Sequence, residues 1–270
     1  MRNLLAVLLG ALMLLVSPMS PANDSTAAFG AGGLVLTKTD QIVMESEDLF
    51  ISQDKIRVKY QFKNTSDKPI TTRVAFPIPE FTFDIYDIPL NSDKFDKDKN
   101  VMDFSVMVNG KKQPFETEVK SRTKDEQTWH KITHHWMQTF PAQKAISVIH
   151  EYTPALGGGV GFGLQGEETG RYCITKDLQT WVDKQLKSGW DTPTATVNYI
   201  LKSGANWKGP IGKFKLTVKK SDKEEKISFC GTGVKKVDDL TFVMEKNNFT
   251  PKQDLYILYL KKPYNTNAIQ

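Results

Sequence analysis

Four histidines, His130, His134, His135 and His150, fall within one short part of a 270-residue chain. Imidazoles grouped this way suggest zinc ligation or general base catalysis near neutral pH. Spacing decides how far either use is possible. In a helix, His130 and His134 would lie one turn apart and could share an ion. In a strand they share a face but stand roughly 13 Å apart, too far for one ion. Alternation from Ile132 onward favours the strand. A turn about Ala142-Gln143 would fold Ile132–Phe140 back on Ala145–Tyr152 as a hairpin. His135 would then face His150, with Cβ atoms about 5 Å apart. A bulge at Pro141 would bring His134 or Trp136 opposite His150 instead. Two imidazoles make an incomplete zinc site, and a carboxylate such as Glu151 would have to join them. His135 and His150 are therefore weak metal candidates, and no metal or other cofactor is expected.

Other residue groups suggest less chemistry. Glu45, Glu47 and Asp48 could supply half of a hydrolytic carboxylate pair, but no second half is visible. Carboxylates near strand ends commonly accept backbone N–H groups or face water. Asp96-Lys97-Asp98-Lys99-Asn100 begins like a calcium loop, but Val101 stands where glycine is needed and Met107 where the bidentate glutamate belongs. Gly161-Phe162-Gly163-Leu164-Gln165-Gly166 spells the dinucleotide pattern without the strand-to-helix context that pattern needs. Asn206-Trp207-Lys208-Gly209-Pro210 reads as a rigid turn. An exposed Trp207 with Lys208 could grip a glycan, a peptide or another chain; a Trp covering one end of the core is the plainer reading.

The elements that must position these residues are mainly strands. From Lys55 to Glu80, Ile56, Val58, Tyr60 and Phe62 alternate with polar residues, and Ile70, Thr72, Val74 and Phe76 resume the pattern after Asn64-Thr65-Ser66-Asp67. Two such amphipathic strands need a second apolar face, so two packed sheets are expected. Asn91–Asn100 reads as a polar loop. Asn109-Gly110 is a strong hairpin signal, with Phe115–Val119 returning. Thr123–His130 is polar enough for a short helix. Gly157–Gly166 is the expected seam between two parts. Beyond it, Leu178, Trp181, Val182, Gln185 and Leu186 predict one helix near 175–188, with Thr175 as N-cap and Gly189 as stop. Strands are expected at Thr196–Leu201, Lys213–Val218, Lys226–Phe229, Leu240–Met244 and Leu255–Leu260.

Arg2, the apolar run Leu4–Val16 and Ser17–Ala22 have the order of a secretory signal cut after Ala22. The run is too short to span a bilayer comfortably. The formal charge is +5, mild and interleaved, which gives no case for nucleic acid. In an exported chain the two cysteines, Cys173 and Cys230, are expected to pair.

Several ordered motifs then carry a resemblance. They are Asn23-Asp24-Ser25, Gly32-Gly33-Leu34, Met44–Leu49, Val58–Asn64, Ala75–Pro79, Phe140-Pro141-Ala142, His150–Pro154 and Gly204–Gly212. Across nearly the whole mature chain the sequence is similar to an exported bacterial family catalogued as domain of unknown function 4424. The resemblance implies a periplasmic protein of Gram-negative bacteria and implies no activity.

The expected fold is mainly β: an immunoglobulin-like β-sandwich over 23–156, then a β-rich part over 157–270 with one helix. The expected function is a non-catalytic periplasmic binding or interaction module. Trp207, Lys208, His135 and His150 are its candidate contacts, and a periplasmic protein, peptide or glycan its partner. No membrane span is expected after signal cleavage. The alternative is a periplasmic hydrolase, metal-dependent or not, with its site around residues 130–150.

Overall fold

A computed structural model describes residues 25–30, 33–37, 39–78, 81–83, 92–160, 164, 166–202 and 206–265. The signal segment and the expected mature start at Asn23 lie outside the described residues, as does most of Gly161–Gly166.

The chain is mainly β, as expected, and its strands form four sheets. A five-stranded sheet runs β2 (Gly33–Thr37), β1 (Ser25–Gly30), β5 (Ile70–Pro77), β9 (Gln127–Phe140), β8 (Glu116–Lys124). An eight-stranded sheet runs β16 (Lys235–Lys236), β17 (Thr241–Phe249), β14 (Ile211–Lys219), β3 (Ile42–Ile51), β4 (Ile56–Asn64), β10 (Ala145–Tyr152), β6 (Ser105–Val108), β7 (Lys111–Lys112). A four-stranded sheet runs β11 (Gly157–Val160), β13 (Pro193–Tyr199), β18 (Leu255–Leu260), β15 (Lys226–Phe229). β12 (Trp190–Asp191) and β19 (Tyr264–Asn265) pair alone. The helices are α1 (Ser92–Lys97), α2 (Glu167–Arg171) and α3 (Lys176–Lys187).

Alternation predicts the inward faces well. On β4, Ile56, Val58, Tyr60 and Phe62 are all buried. What alternation does not specify is the partner strand. β4 pairs with β3 and β10, whereas β5 pairs with β1 and β9. The turn after Asn64 is thus a corner between two sheets and not a hairpin. The same holds for Pro141–Lys144, which carries the chain from β9 in one sheet to β10 in the other. The two corners hold each other: Gln143 Nε2 donates to the Thr65 carbonyl at 2.8 Å and to Asp67 Oδ1 at 3.0 Å. Asn64 Nδ2 donates to the Lys68 and Phe140 carbonyls, closing the junction. The sheets joined in this way face one another, and Phe62 meets Phe140 across the core at 6.1 Å.

The expected short helix at Thr123–His130 is instead a hairpin of β8 and β9, with Asp125 and Glu126 both at positive φ in its tight turn. Asn109-Gly110 makes the turn it promised, at φ 49° and 78°. Its return strand is only Lys111–Lys112, because Pro114 stops it and the chain leaves for the other sheet. The expected polar loop at 91–100 contains the single-turn α1. In the later chain, α3 starts as predicted, with Thr175 Oγ1 accepting from the Leu178 amide, and Gly189 follows it at φ 72°.

The eight-stranded sheet takes strands from both sides of residue 157, since β14 pairs in parallel with β3. One apolar cluster includes Phe62, Phe140, Val197, Tyr199 and Leu216, so the core also runs across that point. A smaller cluster, built on Leu164, Tyr172, Val182 and Leu260, seats α3. Cys173 and Cys230 form the expected disulfide. Among the described residues no helix is long and apolar enough to cross a membrane.

Candidate functional site

The histidines do not assemble as a ladder pair. His135 on β9 lies opposite Ala75 and Glu116, whereas His150 on β10 lies opposite Val58 and Val106 in a different sheet. Alternation points His134 and Trp136 into the core and His135 to the other face. His150 is completely buried and meets Trp136 across the core, ring to ring at 5.4 Å. Tyr60, Phe76 and Phe104 complete an aromatic box around it at 5.2–5.9 Å. Burial holds His150 neutral, with its pKa down at about 3. His134, also fully buried, stacks on Phe104 at 5.0 Å and shares a hydrogen bond with Thr117 Oγ1 through Nδ1. Burial first, then the neighbouring His135, hold its pKa down to about 4. His130 stands among Phe81, Phe83 and Phe95 with Nδ1 against Ser121 Oγ at 2.8 Å. No group of three or more metal-ligating side chains converges among the described residues.

A different residue is the unusual one. Ile42 and Met44 point inward at even numbers, Leu49 and Ile51 at odd numbers. The phase is corrected by a β-bulge between Met44 and Ser46, which turns Glu47 into the core. Gly212 permits this, because a Cβ there would sit 2.6 Å from the Glu45 carbonyl oxygen. Glu47 is 1% exposed. Tyr199 donates to its Oε1 at 3.1 Å, and the Tyr199 and Tyr60 hydroxyls share a hydrogen bond at 3.0 Å. Glu47 Oε2 has no hydrogen-bond partner among the described residues. Burial pushes the carboxyl up to about 8, against the lowering effect of the Tyr199 hydrogen bond. At neutral pH Glu47 is therefore mostly protonated. The out-of-phase apolar residues were the available sequence signal for it.

Trp207 is buried, not exposed. It packs on Phe62 at 4.3 Å and on Phe140 at 6.3 Å, sealing one end of the core. Its large apolar body outweighs any surface role. Lys208 is exposed; its backbone N–H donates to the Ile42 carbonyl and its Nζ to Thr65 Oγ1. Of the four predicted contacts, only Lys208 is open to water.

The eight-stranded sheet offers an open concavity of about 660 Å³ on strands β14, β17 and β16. Lys213 and Lys215 project from β14 on the face opposite Phe214 and Leu216. Glu245 lies directly across from Lys215, and Asn247 across from Lys213. Lys235 comes from the edge strand β16, with Gly233 beside it, whereas Lys246 lies across from Phe214 and alternation sends its side chain to the opposite face. Lys246 Nζ donates to Thr232 Oγ1 at 2.7 Å. None of the ion pairs among the described residues engages Lys213, Lys215 or Lys235. In the sequence the interleaved lysines of this stretch read as a charged strand face, which usually just solvates a sheet.

The profile of the family described as domain of unknown function DUF4424 matches residues 22–129 and 119–258. The chain belongs to the DUF4424 family. The two matched segments overlap in the hairpin of β8 and β9. No curated protein matches the chain. Among solved structures, a DUF4424 chain of this sequence is similar to a Legionella pneumophila protein provisionally named as nutrient binding. That crystal structure shares 18% identity at a TM-score of 0.48, over 87% of this chain and 72% of the other.

Proposed function

We propose that this DUF4424 protein is an exported, periplasmic, non-catalytic binding module that engages its ligand through the concavity on β14, β16 and β17. The observation that carries the reading is the contrast in accessibility. Three of the side chains able to do acid–base chemistry, Glu47, His134 and His150, are each buried to 1% exposure or less inside an aromatic core, and of the four histidines His130 alone is partly open. A general base must reach the proton it abstracts. Lys213, Lys215 and Lys235 of the concavity, by contrast, are exposed, and no ion pair among the described residues engages them. Small-molecule sites are concave surfaces with a few convergent polar groups.

Two measurements test this. The protein recovered from periplasm should begin at Asn23 by intact-mass spectrometry; a retained leader removes the export half of the reading. Lysine labelling of the mature protein should then fall at Lys213, Lys215 and Lys235 when the dialysable fraction of a periplasmic extract is added. Unchanged labelling of those three lysines, with protection elsewhere or nowhere, rejects the concavity as the binding surface.

A further inference from the structure

Resting on the binding reading above, we propose that the concavity takes a ligand bearing two or more phosphate groups. Three ammonium groups, Lys213, Lys215 and Lys235, line this face against one carboxylate, Glu245, among the described residues. The balance is +3 − 1 = +2, which selects a multiply charged anion. The type of cation narrows the class. Planar carboxylates are matched by the two-pronged guanidinium of arginine, and no arginine among the described residues lines the concavity. Ammonium groups act as compact point charges with three rotatable donors, which suit tetrahedral phosphate oxygens.

Spacing then sets the number of phosphates. Lys213 and Lys215 are two residues apart on one strand face, so their Cα atoms stand about 7 Å apart. Lys235 lies on β16, two strands away from β14 and therefore about 10 Å across the sheet. Ammonium groups spread along and across the sheet in this way match a chain of phosphates, or two on one scaffold, better than a single phosphate. Asn247 lies beside Lys213 and adds an amide donor. The same chemistry occurs in soluble polyphosphates and in diphosphorylated lipid headgroups.

Lysines on an edge strand also serve to keep sheets from pairing edge to edge. The molecule contains its own control for that role. The far edge of the same sheet, β7, carries Lys111-Lys112, both exposed, and neither lines the concavity.

The test is calorimetric titration of the mature chain with tripolyphosphate at physiological salt, with citrate as the carboxylate comparison. A second arm measures sedimentation with phosphatidylcholine vesicles with and without a diphosphorylated lipid. Saturable one-to-one binding is expected in at least one arm, weakened about tenfold or more in Lys215→Gln/Lys235→Gln. Lys111→Gln/Lys112→Gln should bind as the natural chain does. All four positions are exposed, so thermal melting should show both variants folded. Binding in the first arm points to a soluble ligand, and binding in the second alone to a lipid headgroup. Loss of binding equally in both lysine pairs, citrate binding as tightly as tripolyphosphate, or no binding in either arm overturns the phosphate assignment. If binding is absent in both arms yet extract still protects Lys213, Lys215 and Lys235 from labelling, the ligand class is wrong and the binding module stands. If protection is missing as well, both readings fall.

Discussion

Replacing Glu47 with glutamine should abolish a loss of stability that the natural protein shows above pH 6.5. The carboxyl has a folded pKa of about 8 against an ordinary 4.5. Between those values the folded chain holds a proton that the unfolded chain releases. Stability contributed by this group is thus complete below pH 4.5 and lost as pH rises to 8. The full span corresponds to roughly 5 kcal/mol. His134 and His150 act in the opposite sense, because burial holds their folded pKa values at about 4 and about 3. Below pH 6.5 the unfolded chain binds two protons on these histidines that the folded chain refuses. From pH 4.5 to 6.5 the two histidines outweigh the one glutamate, so stability rises by roughly 1.4 kcal/mol per pH step. From 6.5 to 8 only Glu47 titrates differently, and stability falls at about the same rate. Urea unfolding across pH 5–9 should therefore show a maximum near pH 6.5. In Glu47→Gln the alkaline limb should become flat while the acid limb persists. An alkaline limb of equal slope in the variant would show that Glu47 is not the group responsible.

The same glutamate shows where sequence reasoning reached and where it stopped. Burial was legible wherever alternation ran unbroken: Ile56 to Phe62, Ile146 to Tyr152, and the inward face of α3 at Val182. Pairing was legible only where the turn itself dictates a hairpin. Asn109-Gly110 does so because both residues accept positive φ. The corners at 64–69 and 141–144 carry no such signature. Their short polar residues fit a hairpin as well as a crossing between sheets. That ambiguity is why His135 and His150, predicted to face each other along a ladder, occupy different sheets. It also explains Trp136, which does face His150, but across a core. Trp207 takes the plainer of its two readings, as a cover for one end of the core. A glycine-proline turn marks a surface loop, yet the side chain within it folds down onto Phe62. The concavity was illegible because its charged residues come from three strands, and only the register of β14 with β17 and of β17 with β16 brings them together.

Removing the disulfide with Cys173→Ser/Cys230→Ser should lower global stability by about 4 kcal/mol in the chain-entropy account. The bond closes a sequence separation of 57 residues, long enough for a large effect on the unfolded ensemble. The native state should also respond, and in one place. Cys173 follows α2, which buries no residue of its own, and α3 buries only Val182. This helical segment rests on the smaller of the two apolar clusters, against Leu258 and Leu260 of β18. Ser228 adds one hydrogen bond, its Oγ donating to the Tyr172 carbonyl at 2.9 Å beside the bond. With so few buried contacts, α2 and α3 should open more readily once untethered, whereas β3, β4 and β10 belong to the larger core. Urea unfolding should show the global loss. Native-state hydrogen exchange should show amides of Lys176–Lys187 losing protection beyond that loss, with β4 amides tracking the global value alone. The natural chain should yield no free thiol when denatured without reductant. A drop in stability below about 1 kcal/mol would remove the loop-closure argument. Exchange in α3 that merely follows the global change would place the whole effect in the unfolded state and reject the local tether.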